Sequence, residues 1–169
     1  MEFDDFGNLT PHGKIDSDLE TGKKKLVEDF APQNQKRKEL WANLATYNAR
    51  MKNLMNTDWE QWIDGSFVTR KQEPNDIDLV NFIEYSEEGN ERLSANWEEA
   101  KNLFAMEEGA KSGSYNSLKM DGYLEPIYPA SHPLHNSYQR KWNYWNKWFG
   151  YNKENEWPKG FLSIKHTRG

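Results

Sequence analysis

The stretch that most constrains this chain is Asp76-Ile77-Asp78-Leu79-Val80-Asn81-Phe82-Ile83. Apolar, β-branched and aromatic residues dominate it from Ile77 onward, the signature of a strand. Pro74, just upstream, pushes Glu73 towards an extended conformation. Two carboxylates stand at the head of this strand. Strand side chains alternate, so Asp76 and Asp78 face the same side with their Cα atoms about 6.6 Å apart. Two acids on one face of a buried sheet repel each other and lose hydration. A divalent cation between them relieves both problems. Paired hard oxygens suit Mg²⁺, whose shell is usually completed by water and phosphate oxygens.

The rest of the chain reads as elements that pack around such a strand. From Gln35 to Met55, Leu40, Leu44, Tyr47, Met51 and Leu54 recur at spacings of three and four without an interrupting Gly or Pro, which predicts an amphipathic helix. Trp59 to Ile63 reads as a short strand, and Ser94 to Met106 as a helix with Ser94 as N-cap. Gly109 to Ser117 reads as loop. Leu118 to Tyr128 reads as a strand broken near Gly122 and stopped by Pro126. Ser137 to Phe149 is a second helix with Tyr138, Trp142, Trp145 and Phe149 on one face, a stripe that reads as core, and Gly150 stops it. Phe161 to Lys165 makes a final short strand. The order helix, strand, strand, helix, strand, helix, strand predicts an α/β (α+β) fold, a small mixed β-sheet flanked by helices. Residues 1–33 carry few apolar anchors and read as an N-terminal arm packed on a domain spanning 34–169.

Composition narrows the function. The 169 residues are 29% charged, polar enough to raise disorder, but 14% are aromatic, and disordered chains are poor in rings. There is no cysteine, which removes disulfides, thiolate nucleophiles and iron–sulfur clusters and fits a cytoplasmic protein. No apolar run is long enough to span a bilayer, and the acidic opening Met1-Glu2-Phe3-Asp4-Asp5 lacks the features of a secretion signal. Net charge is -5, which disfavours a long nucleic acid as partner. His132 and His135 flank Pro133 and read as structural or exposed rather than as metal ligands, and Lys159 reads as a surface lysine.

Upstream of the acid pair, Gly65-Ser66 ends the preceding strand. Glycine lets the backbone turn sharply and a phosphate approach its N–H groups, and the Ser66 hydroxyl adds a donor. A helix opening after Ser66 would add its own N–H groups. Gly65-Ser66, nine residues, then Asp76-Ile77-Asp78 resembles the signature of the nucleotidyltransferase superfamily, the DNA polymerase β-like fold. The longer run Asp64-Gly65-Ser66-Phe67-Val68-Thr69 with Pro74-Asn75-Asp76-Ile77-Asp78 is similar to small bacterial nucleotidyltransferase-like proteins of a domain family of unknown function, as are Gly7-x-Leu9 and Tyr144-Trp145 to Pro158-Lys159-Gly160.

That resemblance implies Mg²⁺, or Mn²⁺, held by three carboxylates: Asp76, Asp78 and an acid from a later strand, Asp121 or else Glu125. The third acid would help deprotonate a hydroxyl that displaces pyrophosphate from a nucleoside triphosphate. Gly65 and Ser66 would cradle the phosphates, and Arg70 and Lys71 stand by position alone to pair with them. The implied activity is transfer of a nucleotidyl group to a hydroxyl of a small molecule or protein. The alternative is a non-catalytic or antitoxin-type protein of the same fold, acting through a protein partner. A third reading makes the aspartates a turn cap only.

Overall fold

The computed structural model describes residues 1–168. Its elements in chain order are β1 (Glu2–Phe3), β2 (Leu9–Thr10), β3 (Gly13–Ser17), α1 (Leu19–Lys23), α2 (Gln35–Met55), β4 (Trp59–Asp64), β5 (Ile77–Glu84), α3 (Glu87–Ala95), α4 (Trp97–Leu103), α5 (Tyr115–Leu118), β6 (Met120–Ile127), α6 (His135–Phe149), β7 (Tyr151–Asn152), β8 (Trp157–Pro158) and β9 (Gly160–His166). A single π turn, Lys24–Glu28, follows α1. Five strands form a mixed sheet in the order β3-β9-β4-β5-β6. The outer pairs, β3 with β9 and β5 with β6, are parallel; the inner pairs are antiparallel.

Helices cover both faces, which is why the central strands read as continuous apolar runs. Leu40, Leu44, Tyr47, Met51 and Leu54 of α2 pack on Ile63, Leu79, Met120 and Leu162. On the opposite face Trp142 and Trp145 of α6 pack against a cluster of Trp62, Val80, Phe82, Phe149 and Phe161. The Trp62 and Trp142 rings meet edge to face with centroids 4.5 Å apart. The inward stripe expected on α6 is therefore core.

Three expectations need correction. Residues 1–33 do not merely lie over the domain. β3 is an edge strand of the main sheet, and Leu9 and Leu26 are fully buried. Strand Gly13–Ser17 is polar because, as an edge, it has little of either face to bury. The helix expected over 94–106 is two helices that break at Asn96, the first capped by Ser86, whose hydroxyl accepts from the Gly89 N–H at 3.0 Å. β6 runs unbroken through Gly122 and Pro126. Pro126 is tolerated because β6 is the other sheet edge, and Gly122 is required because a Cβ there would overlap the Tyr47 hydroxyl.

One side chain ties the N-terminal segment to the loop after β4. Arg37 on α2 is fully buried. Its guanidinium donates to the carbonyls of Leu26 and Phe67, both at 2.8 Å, of Thr69 at 2.7 Å and of Lys71 at 2.6 Å. It also stacks 3.7 Å from the centre of the Phe30 ring. Burial draws its pKa down to about 10, so it stays charged at neutral pH. Arg37→Met should leave these carbonyls without donors and cost at least about 3 kcal/mol. Thermal denaturation should show Tm falling by about 6–12 °C, and a fall under about 2 °C would show the contact to be dispensable.

Candidate active site

The end of the sheet where β4 leaves and β5 and β6 begin carries a row of acids. Asp64, the last residue of β4, lies opposite Asp78 on β5, and Asp78 lies opposite Asp121 on β6. Cross-strand partners share a face, so the three carboxylates stand side by side on the α6 side of the sheet. Asp76 precedes β5 by one residue and receives a 2.6 Å hydrogen bond from the Tyr115 hydroxyl. That bond, above burial, pushes the tyrosine pKa up to about 12. Glu125 is four residues further along β6, opposite Phe82, where it accepts from the Trp145 Nε1 at 3.1 Å. Of the two candidates for a third acid, Asp121 is the one beside Asp78.

Gly65 closes over this row. Its φ of 84° is left-handed, and a Cβ there would overlap the Asp78 Oδ2. The backbone can pass this close to Asp78 only as glycine. Ser66 then opens a single 3-10 turn, Ser66–Val68, whose first carbonyl is held by Thr69: its N–H and hydroxyl donate to Ser66 O at 3.2 and 2.7 Å. The helix that the sequence left open after Ser66 is thus one turn only.

The acids differ in what balances them. Lys159 is 4% exposed, and its ammonium lies 2.6 Å from Asp64 Oδ1 and 3.3 Å from the Gly65 carbonyl. It is a buried site cation, where the sequence suggested a surface lysine. Lys111 lies 2.6 Å from Asp121 Oδ2, while Asp121 Oδ1 is buried without a hydrogen-bond partner. Asp78 has no salt bridge among the described residues. Burial, with Asp76, Asp64 and Asp121 nearby, pushes its pKa up to about 7. Burial also lifts Asp64 to about 6, against the opposing pull of Lys159.

A cavity of about 480 Å³ opens beside these groups. Asp64, Asp78, Asp121, Gly65, Ser66 and Lys159 line one part of it, and Tyr144, Trp145, Trp148, Tyr151 and Lys153 another. Arg70 and Lys71 do not line it. The Arg70 guanidinium turns to the Asp4 carbonyl at 3.1 Å, and both side chains are exposed. His132 and His135 lie elsewhere, His132 stacked on Tyr128 and His135 bonded to the Tyr128 carbonyl at 2.8 Å. Reasoning from sequence missed Asp64 as a member of the acid row, and Tyr115 and Lys111 as its partners. Asp64 was legible in principle: pairing the strand ending at Asp64 with the one beginning at Ile77 as a hairpin aligns it with Asp78. Tyr115 and Lys111 sit in a loop whose path carries no periodic signal.

The uncompensated acid predicts a pH signature in metal-free protein. In the unfolded chain Asp78 ionises near pH 4, whereas the folded protein keeps its proton to about pH 7. Between these values the native state binds more protons, so stability falls as pH rises. Asp78→Asn removes that share of the fall. It should raise Tm by roughly 8–16 °C at pH 8 and change it little at pH 4. A variant less stable than wild type at pH 8 would contradict the burial of an unpaired carboxylate.

Searches of curated proteins and of solved structures return no match. A family profile described as a family of unknown function, DUF6932, matches residues 1–165. The fold and the acid row described above therefore belong to a chain that is a member of the DUF6932 family.

Proposed function

We propose that the protein binds a nucleoside triphosphate together with Mg²⁺ or Mn²⁺ at this end of the sheet and transfers its nucleotidyl group to a hydroxyl of a small molecule or protein. The observation that carries the reading is Asp78: a carboxylate between two others in the same row, without a salt bridge, under a glycine that admits no side chain. Such a centre is short of positive charge. The residues suit a hard divalent cation: Asp76, Asp78 and Asp121 offer carboxylate oxygens, and Asp78 has no salt bridge among the described residues. Among the described residues no group of three or more Asp, Glu, His or Cys side chains is gathered closely enough to hold a metal ion by itself. Mg²⁺ is commonly held by only one or two carboxylates, with water and substrate phosphates completing its shell. A bound cation would supply charge neutralisation and orientation of the phosphates.

The chain's own groups have distinct tasks in this reading. At the Gly65–Ser66 bend, Ser66 lines the cavity and would offer its hydroxyl to a phosphate, while the space left by the missing Gly65 side chain is taken by Asp78. Lys159, held at Asp64 and the Gly65 carbonyl, places a cation beside that bend. Asp121 Oδ1 is free to accept the proton of the acceptor hydroxyl as the new phosphoester forms and pyrophosphate leaves. Most of the acceleration in such transfers comes from positioning and charge stabilisation, which needs no covalent protein intermediate.

Calorimetry with the four nucleoside triphosphates and Mg²⁺ tests this directly. Wild type should bind, and Asp78→Asn should weaken binding roughly 100-fold or more, since even the outer partners of metal ligands are worth about 10–100-fold. Mg²⁺ should also raise the Tm of wild type at pH 8 and not that of Asp78→Asn. Equal nucleotide affinity in both proteins would overturn the assignment. Binding without pyrophosphate release, over a panel of hydroxyl acceptors, would favour the non-catalytic partner reading.

A further inference from the structure

Helix α6 carries more aromatic surface than the core uses. Trp142, Trp145 and Phe149 turn onto Trp62, Tyr123 and Phe161. Tyr144 and Trp148 lie on the adjoining stripe, 38% and 42% exposed, and both line the cavity. Tyr151, 41% exposed, faces the same space from β7. Core packing does not account for large rings left facing water on a concave wall, and such patches mark binding sites. The wall also carries charge of both signs, from Glu108 and Glu154 as well as Lys153 and Lys159. The Lys153 ammonium lies 4.0 Å from the centre of a Trp148 ring. It is also near enough to Asp64 to draw that acid's pKa downward. Lys159 lies against Asp64 and the Gly65 bend. The cavity thus presents aromatic rings, ammonium groups and carboxylates together.

A nucleoside triphosphate has chemistry to match the rings and the two ammonium groups: a flat π-faced base, a polyanion, and a reacting phosphate that is held with a cation. Taking the polyphosphate site proposed above as its starting point, we propose that the base stacks on Trp148 and Tyr144, that Lys153 leaves the indole to meet the phosphates, and that the site prefers purines. The Tyr144 and Trp148 rings are set edge to face, 6.2 Å apart, and the Trp148 face now under Lys153 is the one that its departure would free for a base. A bicyclic purine covers that face more fully than a pyrimidine does, and stacking strength follows the overlap.

The test separates base from phosphate by measuring Mg²⁺-dependent binding of ATP, GTP, CTP, UTP and inorganic tripolyphosphate to the full chain. Purine triphosphates should bind about tenfold or more tightly than tripolyphosphate, the span expected of one base–aromatic stack. They should also quench tryptophan fluorescence. Trp148→Ala should erase that advantage and leave tripolyphosphate affinity unchanged. Trp148→Phe should restore part of it. Lys153→Ala should weaken all five ligands by a similar factor. Because Trp148 and Lys153 are exposed, both variants should retain the wild-type Tm. If tripolyphosphate binds and nucleotides bind no more tightly, or if Trp148→Ala leaves nucleotide affinity intact, the base site falls while the polyphosphate site stands. If neither tripolyphosphate nor nucleotide binds, both fall together.

Discussion

A guanidinium without a carboxylate partner holds this molecule's two halves in register. Arg37 is buried, yet its hydrogen bonds run to the backbone carbonyls of Leu26, Phe67, Thr69 and Lys71. A buried charge satisfied by dipoles is destabilised by desolvation and stabilised only if all of those dipoles are aimed at it. The geometry is therefore cooperative: the turn before α2 and the loop after β4 must both be in place for the charge to be solvated. Leaving a single carbonyl unpaired costs about 1–3 kcal/mol. That cost pins the 67–71 loop, and with it the bend at Gly65 that overhangs Asp78. The acid-bearing end of the sheet is thus built on a contact outside the acid row.

The acid row is the reverse case, a place where the fold leaves charge poorly matched. Asp64 has Lys159, Asp121 has Lys111 and Asp76 has the Tyr115 hydroxyl. Asp78, between two of them, is left to burial and repulsion. A sheet end could be closed at lower cost with an apolar residue at position 78, as position 80 on the same face shows with a fully buried valine. Sites that keep such mismatches sacrifice stability for function. This is the physical basis for reading the row as a binding centre rather than as a turn cap.

Much of this was legible because the signals were local or periodic. α2 occupies Gln35–Met55, as its apolar spacing implies, and α6 begins two residues before the expected Ser137. The acids at the head of β5 and the glycine bend before it were also readable, since each needs only its own neighbours to be recognised. What was hidden depends on pairing. β3 pairs with β9 across more than a hundred residues and has too few apolar side chains to announce itself. Lys159 looks like any lysine before a glycine until β9 is laid beside β4, when its ammonium is carried to Asp64. Arg70 and Lys71 were assigned by nearness in sequence, and the loop turns them away from the cavity because Arg37 holds its backbone inward.

The division of the site between rigid and mobile parts follows from the same topology. Asp64, Asp78 and Asp121 stand on strands that are hydrogen-bonded to one another, so their Cα positions cannot move independently. Their present partners sit on connections. Lys111 lies in the segment between α4 and β6 and is about half exposed, and Tyr115 opens a helix of only four residues. Lys153 lies between β7 and β8, each two residues long. Short elements with exposed backbone open at low free energy, whereas central strands open only near the global limit. These partners can therefore move without disturbing the acids. Lys159 is the exception: it is buried next to the first residue of β9. It moves with the sheet, and so gives the carboxylate row one cation that no incoming ligand has to bring.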